Sequence, residues 1–368
     1  MSRYNGVPLI FTVLTAVAPV IAQPCTPSEV FGTVATYPAG TNAIRVCPGD
    51  LNGDGRNDLA VAGGRDIRVL FNTGDGTFGP PTTVELGGGS SNDLALGDLD
   101  GDSDLDIVVA NEVFATAVVF LNNGDGSFGA PTSFSVARVP QSLALGDLTG
   151  DGILDLAVAS SFDRAVNVLS GNGDGTFASA AVYGAGRVTN ALDDLDQDGD
   201  MDVAAADTSG GMLVVLLNNG DGTLGSPTGY DPSMFPVGLA LGDLDGDGDV
   251  DAALSENGGD AIVTLLNDGA GSFVTGTRWP VGDNPQSVTM GDVDSDGDLD
   301  IATANFDDAT ASLLINDGAA AFSSQAAYDT TGARPTDVAF GDLDATRSLD
   351  MMTANDGGFN LSVWLNQC

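Results

Sequence analysis

The sequence predicts an all-β fold, a seven-bladed β-propeller of four-stranded antiparallel blades, on three observations. A nine-residue acidic phrase recurs seven times at a nearly constant interval. Each complete interval holds four short strand-like runs. The last interval lacks its fourth run, and residues near the N terminus supply one.

The phrase begins at Asp50, Asp98, Asp147, Asp194, Asp243, Asp292 and Asp342, at intervals of 48, 49, 47, 49, 49 and 50 residues. A fixed period of this length marks a repeat architecture in which each unit is one supersecondary module. Residues 94–141 serve as the specimen. Leu94–Gly97 is a short apolar strand entering the acidic loop, Asp106–Ala110 a β-branched run leaving it, and Ala117–Leu121 a third run. Asn122-Asn123-Gly124-Asp125-Gly126 is a tight hairpin signal, and Ser127-Phe128 opens a fourth strand running to Val136. Four strands per period without helical periodicity is the content of a propeller blade, and an open solenoid would require no ring closure.

Closure is legible at the chain ends. The segment Val30-Phe31-Gly32 through Tyr37 matches Ser127-Phe128-Gly129 through Phe134, so the N-terminal strand completes the seventh blade and removes an open edge. Six repeats carry an aromatic in the same register of strand four: Tyr37, Phe134, Tyr183, Tyr230, Trp279 and Tyr328, where the remaining repeat has Val84. The regular register points to inter-blade packing, with sugar stacking as the alternative. Cys25 and Cys368 both align with the hairpin turn of the closing blade and are expected to form a disulfide there. That bridge would close a loop of about 340 residues and remove roughly 5–6 kcal/mol of unfolded-state entropy. Cys47 replaces the Ala or Thr of the other repeats and is expected to be a small buried thiol.

Residues 1–22 read as a secretory signal, with Arg3, an apolar run from Val7 to Val20, and Val20-Ile21-Ala22 as the cleavage site. Pro19 interrupts the run, which is shorter than the ~20 residues of a membrane span. Residues 23–368 are then a single propeller, secreted or periplasmic and without a membrane span. The formal charge is −41, and 29 of the 52 acidic residues are Asp at alternate positions of the seven phrases. With eleven Arg and no Lys, nucleic acid is excluded as a partner. A salt-adapted surface is a further source of acidity.

Asp at alternate positions of a tight loop points several carboxylates at one centre, the ligand arrangement that Ca²⁺ takes. Side chains at the first, third, fifth and ninth positions and the backbone carbonyl of the seventh are the candidate ligands, and Gly at the sixth allows the turn. The candidates are Asp50, Asn52, Asp54, Arg56 and Asp58; Asp98, Asp100, Asp102, Asp104 and Asp106; and Asp147, Thr149, Asp151, Ile153 and Asp155. The complete loops add Asp194, Asp196, Asp198, Asp200 and Asp202; Asp243, Asp245, Asp247, Asp249 and Asp251; and Asp292, Asp294, Asp296, Asp298 and Asp300. Ser103, Asn52 and Thr149 depart from the pattern in the first three loops and predict weaker binding. Thr346 and Arg347 in the loop at Asp342 predict an empty seventh site, for about six Ca²⁺ in all. The absence of His argues against zinc. Metal-free Asx-turns are the alternative.

The loop, the period and the fragments Phe128-Gly129-Ala130-Pro131 and Phe78-Gly79-Pro80-Pro81 resemble FG-GAP/VCBS repeats. These build the seven-bladed propeller at the N terminus of integrin α chains and in many bacterial exported proteins. The resemblance covers residues 30–368 and implies Ca²⁺ between the first two strands of a blade.

Strand direction puts the metal loops and the three-to-four hairpins on one face, and the two-to-three and four-to-one connections on the other. Arg138, Arg187, Arg278 and Arg334 are assigned to four-to-one connections and are candidate ligand contacts for a carboxylate or other anion. Pairing with nearby acids such as Asp66, Asp163 or Glu256 is the alternative. The expected function is an extracellular adhesion or ligand-binding module, monomeric, with a protein or glycan partner. A lectin, or a lyase or dehydratase acting on polysaccharide, are the alternatives; without His and Lys the commonest general bases are missing.

Overall fold

The structure, a computed structural model, describes residues 27–40, 42–185, 189–231, 235–322, 324–331 and 334–368. The expected signal segment, Cys25 and Arg187 lie outside the described residues. Among the described residues, twenty-eight strands form seven four-stranded antiparallel sheets. No helix among the described residues is long and apolar enough to cross a membrane.

In blade two the strands are Ser91–Gly97, Asp106–Asn111, Thr116–Phe120 and Thr132–Ser135. The fourth strand therefore starts later than the sequence suggests. Phe128 makes only an isolated bridge to Asn122, and Gly129 N donates to Leu121 O at 2.7 Å before the chain leaves the ladder. Ladder pairing resumes at Thr132, and blade three shows the same gap before Ala181 without a proline. Blade five has Val274-Thr275-Gly276 in this stretch instead, and its fourth strand runs unbroken from Phe273 to Pro280.

Closure follows the sequence. Ala35–Pro38 pairs antiparallel with Asn360–Trp364, Phe31 bridges Asn366, and Gln367 N donates to Val30 O at 2.8 Å. The seventh sheet is thus three C-terminal strands and one N-terminal strand.

Alternation within strand two divides the core between neighbours. Ala60 and Ala62 pack toward blade two with Ile107, Val109 and Phe120, whereas Leu59 and Val61 pack toward blade seven with Met352, Leu361 and Val363. Both faces of the strand are buried, so it reads as a continuous apolar run with no polar side. Each of the seven seams has one such cluster. At five seams an edge-to-face aromatic pair is added, including Tyr37–Phe78 and Phe134–Phe177 with centroids 5.2 and 5.4 Å apart. The strand-four aromatics are packing elements.

Strand one lines the central channel, which holds a cavity of about 440 Å³. Arg45 there pairs with Asp93 and Asp337, each at 3.1 Å, joining blades one, two and seven. Asp337 also accepts Val46 N at 2.9 Å, and Asp93 accepts Leu143 N at 2.7 Å. Cys47, free among the described residues, is partly exposed and not fully buried as expected; its Sγ lies 3.4 Å from Leu94 O, and desolvation pushes its thiol up to about 12. A thiol held protonated in this way is a poor nucleophile.

Candidate metal centres

The acidic loop is a self-capping turn. In the first loop Asp50 accepts Asp54 N at 3.1 Å and Gly55 N at 2.7 Å, and Asp54 accepts Arg56 N at 3.1 Å. The loop at Asp194 repeats this with Asp198 N at 3.2 Å, Gly199 N at 3.0 Å and Asp200 N at 3.0 Å. The sixth residue adopts positive φ throughout, at 83° for Gly55 and 92° for Gly248, and also at 77° for Ser103 and 72° for Arg347. Each non-glycine there carries a conformational cost of about 1 kcal/mol. The fourth position requires the same region, with φ of 71° at Gly53 and 60° at Gln197. That second requirement was written in Gly53, Gly101, Gly150 and Gly246, and sequence reasoning did not use it.

The ninth position is a buried brace. Asp106 is fully buried; it accepts Leu99 N at 2.9 Å through Oδ2 and Asn122 N at 2.8 Å through Oδ1. Asp58, Asp155, Asp202, Asp251, Asp300 and Asp350 repeat the pair of contacts. A carboxylate has about four lone-pair sites, so each oxygen keeps capacity for a cation. Burial pushes Asp106, Asp202, Asp251 and Asp350 up to about 6 and Asp300 up to about 7, against the lowering effect of the two backbone donors.

Asp98, Asp100 and Asp106 each bring one oxygen within 4.8 Å of the others, and the loops at Asp194, Asp243 and Asp292 bring together their first, third and ninth Asp likewise. Asp100, Asp196 and Asp294 each have a buried Oδ1 without a hydrogen-bond partner, the state expected of an oxygen awaiting a cation. Burial, then the neighbouring Asp102, raises Asp100 above the usual carboxylate range, and Asp196, Asp245 and Asp294 are raised in the same way. An all-oxygen acidic set of this kind can hold a hard divalent ion such as calcium.

The loops differ in what their side chains bring together, and the seventh position, expected to offer its backbone carbonyl, keeps its side chain elsewhere. The seventh-position side chains turn toward the hairpin of their own blade: Asp104, Asp200, Asp249 and Asp298 lie against Gly124, Gly220, Gly269 and Gly318. Asn52 and Thr149 leave the loops at Asp50 and Asp147 without a third-position carboxylate, and neither forms such a triple. The loop at Asp342, expected to be empty, does: Asp342, Asp344 and Asp350 cluster within 4.8 Å, Asp342 Oδ1 is buried without a partner, and Arg347 is exposed. The sequence signals against this site, Thr346 and Arg347, alter neither the first, third nor ninth position.

A further element escaped the sequence reading. Asn122, read as a turn residue, donates its side-chain amide to Leu105 O at 3.0 Å and to Leu51 O of the preceding metal loop at 2.9 Å. Asn72, Asn218, Asn267, Asn316 and Asn366 do the same, reaching Leu343, Leu148, Leu195, Leu244 and Val293. Blade three has Gly171, and there Gly175 N donates to Leu99 O at 2.9 Å. Recurrence of Asn after strand three in six periods was the available signal.

On the opposite face, Arg138 and Arg334 lie in four-to-one connections as expected, whereas Arg278 does not. Arg138 is paired with Asp163 at 2.5 Å and lies 4.0 Å from the Phe162 ring centroid. Arg278 belongs to strand four of blade five, not to a connection, and pairs at 2.5 Å with the buried Glu256. Arg68 pairs with Asp66 at 3.4 Å. A free anion at Arg138 or Arg278 would compete with a carboxylate already in place. Arg334 is exposed over Phe306 at 5.2 Å, with no ion pair among the described residues.

Comparison with known proteins adds three findings. The model of the FG-GAP-like repeat matches residues 50–109, 98–158, 194–254, 243–303 and 292–353. No curated protein matches the chain. Among solved structures, the fold is similar to an Agrocybe aegerita lectin that recognises non-reducing terminal N-acetylglucosamine (24% identity, 79% of this chain and 81% of that one, TM-score 0.59). It is also similar to BBS1N in complex with ARL6DN (14%, 92% and 97%, TM-score 0.67) and to streptogramin B lyase (13%, 93% and 100%, TM-score 0.66). At these identities the likeness concerns the fold alone.

Proposed function

The chain belongs to the FG-GAP-like repeat family, and from that premise we propose that it is an exported, calcium-stabilised binding propeller whose ligand meets the face opposite the metal loops. One observation carries the choice of face. Of the nine large hydrophobic residues exposed among the described residues, five lie in two-to-three loops or four-to-one connections: Val113, Phe114, Phe162, Phe235 and Phe359, and Met212 opens the strand that follows such a loop. Exposed aromatics gathered on one side of a soluble fold are the usual mark of an interaction surface. Calcium is the ion that suits the converging carboxylates, and its part is to rigidify the loops on the other side.

A glycan is the second reading. The exposed Phe162 beside Asp163 and Arg138 offers an aromatic surface with polar flanks, and the similar A. aegerita lectin is a sugar binder on the same fold. A glycan and matrix-protein array, run in calcium and in chelator, tests both. Retention that falls at least tenfold in Phe114→Ser/Phe162→Ser supports the assigned face. Undiminished retention in that variant removes it.

A further inference from the structure

Five seams of the ring are closed by an aromatic of strand four set edge-on against the Phe of the next hairpin, with centroids 5.2 to 5.5 Å apart. At the seam of blades three and four Tyr183 and Leu224 share a core cluster. Between blades one and two the strand-four residue is Val84, in one cluster with Phe128, and among the described residues no aromatic pair forms with that phenylalanine; the nearby Phe71 ring packs against Gly126 instead. The consequence is visible in burial. Phe31, Phe78, Phe177, Leu224, Phe273 and Phe322 are all buried, while Phe128 stays half-exposed. A cavity of about 340 Å³ opens there, between Thr82, Val84 and Glu85 on one side and Phe128 and Pro131 on the other, with Phe120 lining it.

We propose that this notch is a binding site for an aromatic ring of the tyrosyl type, presented by a partner protein. The chain's own rings at the other seams define the shape and polarity of the missing piece. Phe128 offers the surface that Phe78 and Phe273 offer to Tyr37 and Tyr230, and the ring quadrupole favours an edge-to-face partner there. The hydroxyl has a place as well. Tyr37 and Tyr230 donate to the carbonyls of Gly76 and Gly271 at 3.5 and 2.8 Å, and the equivalent residue, Gly126, lines the notch. Buried tyrosines are common anchors of protein interfaces, because a rigid ring fills a pocket at small entropic cost. The site lies on the outer rim of one seam and does not depend on the ligand face assigned above.

The test is saturation-transfer NMR on the full chain in calcium, with p-cresol as the tyrosine side-chain probe and toluene as its hydroxyl-free counterpart. The wild type transfers saturation to p-cresol, and to toluene several-fold less. Val84→Tyr fills the notch from within and abolishes transfer while retaining the circular dichroism of the wild type. Phe128→Leu, which places here the residue that blade four carries as Leu224, reduces transfer at least threefold and decides the matter should the first variant misfold. No transfer in the wild type, transfer unchanged in the folded variants, or displacement of p-cresol by excess N-acetylglucosamine would overturn the proposal.

Discussion

The backbone amide of Asn122 donates to Asp106 Oδ1 across 2.8 Å, and this contact ties the hairpin of a blade to its metal loop. Because the Asn122 side chain also reaches Leu51 O, a cation bound at one loop is mechanically joined to the next. Asn122→Ala leaves two buried carbonyls without their donor. The expected loss is about 2–3 kcal/mol, read as a lower midpoint in urea with calcium present. A variant as stable as the wild type would show that water replaces the amide.

Calcium titration by calorimetry should give about six equivalents. The seventh loop is the informative one, since its sequence argues for an empty site while Asp342, Asp344 and Asp350 converge as in the others. Asp342→Asn should leave the stoichiometry unchanged if the missing carboxylate at Thr346 decides the matter. A drop of one equivalent would assign the decision to the converging triple.

Metal-free protein should lose stability as pH rises. The folded-state values of Asp106, Asp202, Asp251 and Asp350, about 6, and of Asp300, about 7, stand above an unfolded value of about 4. The folded state therefore binds more protons between pH 4 and 7, and its stability falls across that window. Thermal melts in chelator should show a declining midpoint from pH 5 to pH 8. Saturating calcium should flatten or reverse the trend, because the bound ion favours the ionised carboxylates.

Arg45→Met leaves Asp93 and Asp337 facing each other in the channel without their cation. Both carboxylates are nearly buried, with side chains 5% and 2% exposed, while the guanidinium keeps contact with solvent at 40%. A destabilisation of about 3 kcal/mol is expected, the lower end for breaking a buried pair. The triple variant Arg45→Met/Asp93→Asn/Asp337→Asn should recover most of it. If the single variant melts with the wild type, the clasp contributes nothing to the ring.

Mass mapping without reduction should find Cys25 joined to Cys368, whose Sγ lies 3.9 Å from Glu29 O beside the N-terminal strand. Cys47 should resist alkylation until the protein is unfolded, in keeping with a thiol raised to about 12. A bridge to Cys47 would refute the pairing.

The period, the blade content and the closing strand were legible because each is a pattern in chain order, as in the match of Phe31 to Phe128. The converging carboxylates were legible for the same reason: alternate positions of one loop are close in any fold. What escaped depends on neighbours distant in sequence. Asn122 and Leu51 are 71 residues apart, and only the ring brings them together. Arg278 and Glu256 belong to the fourth and second strands of one blade, with the third between them, so the pairing depended on where the fourth strand begins and ends. Position nine was legible as acidic but not as buried, since its two backbone partners sit at the second loop residue and beyond strand three.

The asparagine brace crosses the seam between blades seven and one as it crosses five others: Asn72 of blade one holds Leu343 of blade seven at 2.7 Å. Topologically the ring has no privileged origin. A circularly permuted gene that links the two ends of the closing blade and opens another exposed hairpin encodes the same set of contacts.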